Sequence, residues 1–114
     1  MLIVGGENVY PAEIEKLGTL LPGAAQIAVT GIFHKIWQTQ LALVYKAIEG
    51  ARVSLAHWHR ILARSVAPHK IPQCYVCIAD LGLEEFPLKS NGKLDRQQLS
   101  LLLAAHLANS HEKP

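Results

Sequence analysis

The sequence predicts one α+β domain: a small, mostly antiparallel three-stranded sheet, preceded by a short N-terminal strand or hairpin and packed with about three helices. Three observations lead there. The 114 residues are 50% hydrophobic and 18% charged, which supplies apolar material for one core and lies far from the signature of disorder. Apolar residues switch between a period of two and a helical period, in the order strand, helix, two strands, helix, strand, helix. Glycine and proline punctuate the switches, with no internal repeat and no low-complexity linker.

The first strand runs from Leu2 to Val4, and Gly5-Gly6 breaks it before Glu7-Asn8-Val9-Tyr10. Pro11 then occupies a natural first helical position, with Glu13 and Glu15 placed to favour the helix dipole. Ile14, Leu17, Leu20 and Leu21 recur at helical spacing until Pro22-Gly23 stops the helix. Two strands follow. Ala25, Ile27, Val29 and Phe33 share one face of the first, and Leu41, Leu43 and Tyr45 one face of the second. Their nearly continuous apolar character predicts partial cover on both faces of the sheet. Ser54 is placed to cap a helix whose stripe is Leu55, Trp58, Leu62 and Val66. Pro68 and Pro72 bracket a turn, and a third strand runs from Cys74 to Ala79. Asp95 caps the last helix, with Gln98 at the reciprocal position and Leu99, Leu102, Leu103 and Leu107 facing the core. The domain is expected over residues 1–108, with 109–114 a frayed tail.

Several function classes find little support. The formal charge of +2 calls for no nucleic acid or anionic membrane, and no aromatic-basic interleaving is present. No apolar run approaches the ~20 residues that span a bilayer, and the N-terminus lacks the basic leader of a signal peptide, so a cytoplasmic protein is expected. Cys74 and Cys77 point to opposite faces of a strand, so they read as buried reduced thiols rather than a disulfide or metal pair. His57 and His59 diverge on a helix, which argues against a metal site. Trp37 and Trp58 read as core or interface anchors.

One residue stands out for chemistry. Asn91-Gly92 makes a tight turn at low steric cost, and Lys93 follows it at the loop tip, beside a capped helix that fixes the far end. A lysine held there can present a compact ammonium to a phosphate or carboxylate on another surface. A solvated turn lysine is the alternative. The face formed by His57, Arg60 and Arg64 reads similarly as solvated surface or as a contact for anions.

Four stretches, in order, resemble one family. Gly5-Gly6-Glu7-Asn8-Val9-Tyr10-Pro11-Ala12-Glu13-Ile14-Glu15 is similar to the segment just after the interdomain hinge of the acyl-CoA synthetases. Val29-Thr30-Gly31-Ile32…Trp37 resembles their next strand and turn, and His69-Lys70-Ile71-Pro72 their basic step before the last strand. Pro87 through Asn91-Gly92-Lys93-Leu94-Asp95-Arg96 resembles their closing motif. By these stretches the chain resembles the C-terminal domain of the adenylate-forming acyl-activating enzymes over about residues 3–104. It departs from the pattern in two turns. Phe33-His34 and Trp37-Gln38 replace the usual Pro-Asp and Trp-Gly, and Lys89 stands where a threonine is common.

The resemblance implies a ligase that activates a carboxylate with ATP and Mg2+, releases pyrophosphate and passes the acyl group from the adenylate to coenzyme A. It makes Lys93 the catalytic residue, supported by Asn91 and Gly92. It also assigns Gly5, Gly6, Glu7 and Asn8 to the thiol tunnel that forms after the small domain rotates. Arg60, Arg64 and Lys70 are candidate contacts for CoA phosphates or for a carrier protein. The large nucleotide-binding domain and the hinge are expected upstream of Met1, so the chain alone is expected to be inactive. The alternatives are a domain that loads an amino or aryl acid onto a carrier protein, and a free-standing non-catalytic module that binds a ligase.

Overall fold

The structure is a computed structural model that describes residues 2–4, 6–34 and 38–111. β1 (Leu2–Val4) and β2 (Glu7–Val9) pair antiparallel as a hairpin, with Leu2 opposite Val9 and Val4 opposite Glu7. Gly6, in the connection between them, has φ +82°, in the left-handed region that a side chain resists. α1 (Pro11–Glu15) starts at the proline, whose missing N–H costs nothing at the first helical position. The helix does not continue regularly to Leu21. It tightens into a 3-10 segment, Lys16–Leu20, which leaves Leu20 exposed and Leu21 buried. Gly18 in that segment lies so close to β3 that an added Cβ would stand 3.0 Å from Ile27.

β3 (Ala24–His34) and β4 (Gln38–Ala47) form the long antiparallel pair of a second sheet, and β5 (Cys74–Cys77) adds to β4 in parallel. The three-stranded sheet, in the order β3-β4-β5, is therefore mixed. α2 (Leu55–Ser65) lies between β4 and β5 in the chain and supplies the crossover that a parallel neighbour requires. A register shift at Ala24/Gln26 leaves Ala25 exposed, so Ala25 does not share the buried face of Ile27 and Val29. β5 ends at Cys77 rather than Ala79, where a 3-10 turn, Ile78–Leu81, takes over.

Both faces of the sheet are covered. On one, Ile27, Val29, Leu41 and Leu43 pack with Val9, Ile14, Trp58 and Leu62 from the hairpin, α1 and α2. On the other, Ala28, Ala42, Val44 and Val76 pack with Phe86 and with Leu99 and Leu103 of α3 (Arg96–His111). Trp58 is fully buried, sits edge-on to Tyr45 at 4.8 Å between centroids, and donates from Nε1 to the Pro22 carbonyl at 2.8 Å. It is a core anchor, while Trp37 lies outside the described residues. Cys74 and Cys77 are free and half-buried. No helix among the described residues is long and apolar enough to cross a membrane.

Candidate functional site

Lys93 closes a short hairpin whose turn chemistry comes from its own sequence. Leu88 bridges Leu94, the Lys89 N–H donates to the Lys93 carbonyl at 2.7 Å, and the Gly92 N–H donates to the Lys89 carbonyl at 2.9 Å. Those bonds define a three-residue loop, Ser90-Asn91-Gly92, that needs a left-handed residue at its last position. Gly92 provides it at φ +84°. Asn91 Oδ1 accepts the Lys93 N–H at 3.0 Å, a local bond that fixes the backbone under the lysine. Lys93 itself is exposed and forms no ion pair among the described residues.

The base of this hairpin is anchored on both sides. The Asp95 N–H donates to the Pro87 carbonyl at 2.8 Å, and Asp95 Oδ1 accepts the Gln98 N–H at 3.0 Å as the cap of α3. The reciprocal half of the capping box is not made, because the Asp95 N–H is already taken by Pro87. Arg96 then makes a fork. Its Nη1 donates to Glu15 Oε2 at 2.5 Å, its Nη2 to Oε1 at 2.7 Å, and Nη1 also donates to the Val29 carbonyl at 2.8 Å. The Val29 N–H donates back to Glu15 Oε2 at 2.7 Å, so one carboxylate ties α1, β3 and α3 together. The hydrogen bonds to Glu15 raise the Arg96 pKa above its usual value, against the lowering effect of partial burial. In the sequence Glu15 stands out as a dipole-stabilising residue and as the end of the first family-like stretch, not as a partner of Arg96. The two partners lie 81 positions apart, and no local signal pairs them.

The N-terminal hairpin reaches the same helix start through its base. Leu2, Thr30, Gly31 and Ser100 line one open cleft with Arg96 and Gln97, and Lys89, Lys93 and Leu94 line a second with the same two residues. Gly6, Glu7 and Asn8 are exposed at and beside the opposite, turn end of that hairpin, whose base is the Leu2–Val9 pair. An added Cβ at Gly6 would meet nothing within 4 Å, so its surroundings leave the backbone accessible. Gly5 lies outside the described residues. Arg60 and Arg64 are exposed on α2, but Lys70 is engaged, its Nζ donating to Glu13 Oε1 at 2.6 Å. Among the described residues no three His, Cys, Asp or Glu side chains gather as a metal site.

No protein-family profile matches the chain. Curated relatives do. It is 34% identical over 104 residues to an indoleacetate–CoA ligase of Aromatoleum aromaticum, covering 91% of this chain and 19% of that one. It is 33% identical over 98 residues to ScoC of Streptomyces coeruleorubidus, described as a fatty acid–[acyl-carrier-protein] ligase, covering 86% and 18%. The fold superposes on ATP-bound MatB of Rhodopseudomonas palustris with a TM-score of 0.79 at 26% identity, covering 91% of this chain and 20% of that one. The chain belongs to the adenylate-forming acyl-activating superfamily and matches its C-terminal domain. It spans about a fifth of the length of these relatives. Residues 87–96, the stretch that resembles the superfamily's closing motif, form the hairpin and helix cap described above.

Proposed function

We propose that this chain works as the mobile C-terminal domain of an ATP-dependent carboxylate–CoA ligase, with Lys93 as its catalytic residue. The observation that carries the reading is the 88–94 hairpin, which holds an exposed ammonium, without an ion pair among the described residues, on a base clamped to α1 and β3. In this reading a large N-terminal domain holds most of the contacts to ATP, magnesium and the carboxylate. ATP supplies the adenylyl group, and coenzyme A supplies the thiol acceptor.

Lys93 reaches into the large domain during adenylation and stabilises negative charge on the carboxylate and the α-phosphate. Its contribution is position and electrostatics rather than a covalent bond. Asn91 and Gly92 hold the turn beneath it. Rotation of the domain then withdraws Lys93 and brings the Gly5-Gly6-Glu7-Asn8 turn to the thiol tunnel, where bare backbone admits a slender pantetheine arm. The isolated chain lacks the partner surface and is inactive.

The test is Lys93→Ala in the complete ligase. Adenylation falls by about 10²–10³, while thioester formation from preformed adenylate survives. Equal loss of both half-reactions would end this division of labour. An immunoblot of source cells with serum against this domain shows a band several times larger than the 12.5 kDa chain. A band at 12.5 kDa instead supports a free-standing module.

The similarity to an acyl-carrier-protein ligase favours a second reading, in which the acceptor thiol sits on a carrier protein. Arg60 and Arg64 on the exposed side of α2 would then meet an acidic helix of the carrier. Supplying CoA and a pantetheinylated carrier in parallel separates the two, because only the correct acceptor discharges the adenylate.

A further inference from the structure

Lys89 and Lys93 oppose each other across the last rung of the 88–94 hairpin. Both are exposed and both line the cleft that includes Leu94, Arg96 and Gln97. Neither forms an ion pair among the described residues. Like charges at directly opposed positions cost a hairpin stability. Nothing in the turn requires the cost, since its hydrogen bonds at Lys89 use backbone atoms alone. The surrounding charge does not offset it either. Arg96 shares the cleft with its charge already matched by Glu15, and the Asp95 carboxylate caps α3. Two ammoniums with no ion pair among the described residues are therefore held side by side, on flexible stems, at the tip that carries the proposed catalytic residue. One ammonium suffices for a single anionic group. A pair on adjacent stems suits an anion whose charge is spread along a chain.

We propose that Lys89 and Lys93 form a clamp for a polyphosphate: the tail of a nucleoside triphosphate in the forward direction and inorganic pyrophosphate in reverse. The clamp rests on the ligase reading above. In the forward step a carboxylate oxygen forms a bond to the α-phosphorus. The bond from that phosphorus to the oxygen bridging to the β-phosphate breaks, and its electron pair leaves on pyrophosphate. Lys93 meets the carboxylate and α-phosphate, and Lys89 meets the charge that grows on the departing group.

Pyrophosphate–ATP exchange by the complete ligase tests this, with inorganic pyrophosphate as the varied probe. Lys89→Thr raises the pyrophosphate concentration needed for half-maximal exchange by about tenfold. Lys89→Glu raises it further, and Lys89→Arg stays close to the parent enzyme. Thioester formation from preformed adenylate is unchanged in all three, and thermal melts of Lys89→Thr show no loss of stability. Unchanged pyrophosphate dependence in Lys89→Thr and Lys89→Glu overturns the clamp. Lys93→Ala serves as the control for the underlying reading. If it abolishes exchange while the Lys89 variants behave normally, only the clamp fails. If exchange survives Lys93→Ala, the ligase assignment of Lys93 fails as well.

Discussion

Arg96, at the first turn of α3, is half-buried with its guanidinium forked on Glu15 and touching the Val29 carbonyl. Lys93, in the hairpin that leads into the same helix, is exposed and carries no ion pair among the described residues. Two cations from one short motif are used in opposite ways. A planar fork is suited to fixing elements against each other, and a point charge on a flexible stem is suited to reaching a separate surface. Among the described residues the pairing lies at the base of the loop and the tip is left without a partner, an arrangement that fits the proposed role of Lys93.

The largest effect expected from breaking this comparison is in stability at the base. Arg96→Ala removes the guanidinium from Glu15, which keeps only the Val29 N–H, and from the Val29 carbonyl, and costs about 2 kcal/mol, less than a fully buried pair because water reaches the site. Urea melts measure it, and Lys93→Ala in the same assay stays within about 0.5 kcal/mol of the parent. Comparable losses at the two positions would erase the distinction between base and tip.

Gly92→Ala comes next, at about 1 kcal/mol. An added Cβ would meet nothing within 4 Å, so the cost is that of the left-handed backbone at φ +84° and not of a clash. In the complete ligase it lowers adenylation while leaving thioester formation from preformed adenylate intact. Loss of both half-reactions would show that the turn does not serve adenylation selectively.

The smallest effect is on the alkaline limb. Glu15 keeps Arg96 charged, so the base of the loop does not titrate there. Burial instead pushes the Tyr75 pKa up from 10.0 to about 12, which favours its neutral form in the folded state. That contribution is fully present below pH 10.0 and is lost as pH rises toward about 12. Tyr75→Phe, measured by denaturant melts across that range, flattens the decline. A decline that persists in Tyr75→Phe would point instead to Tyr45, whose pKa burial also raises.

How much of this was legible in the sequence follows from the range of each interaction. The Asn91-Gly92-Lys93 turn was readable because its geometry is set by residues within a few positions of one another. Pro11 at the start of α1 and Ser54 at the cap of α2, where it accepts the His57 N–H at 3.2 Å, were readable for the same reason. The continuation of α1 was not, because a close approach between Gly18 and Ile27 accompanies a tightening of the helix that periodicity does not record. Lys70 read as a candidate contact for CoA phosphates or a carrier protein, and its bond to Glu13, 57 positions away, left no local signal.

By itself, then, the sequence determined the order of the elements, the buried Trp58 and Leu62 of α2 and Leu99 and Leu103 of α3, the apolar character of the strands, and the tight turn that presents Lys93. Each depends on spacing, propensity or local backbone chemistry. Only the tertiary structure decided that β5 joins β4 in parallel, that Glu15 meets Arg96, and that Glu13 holds Lys70. Those pairings join groups whose separation along the chain says nothing about their separation in space. They are fixed when the sheet's two faces are covered and α1 and α3 are brought together at Val29.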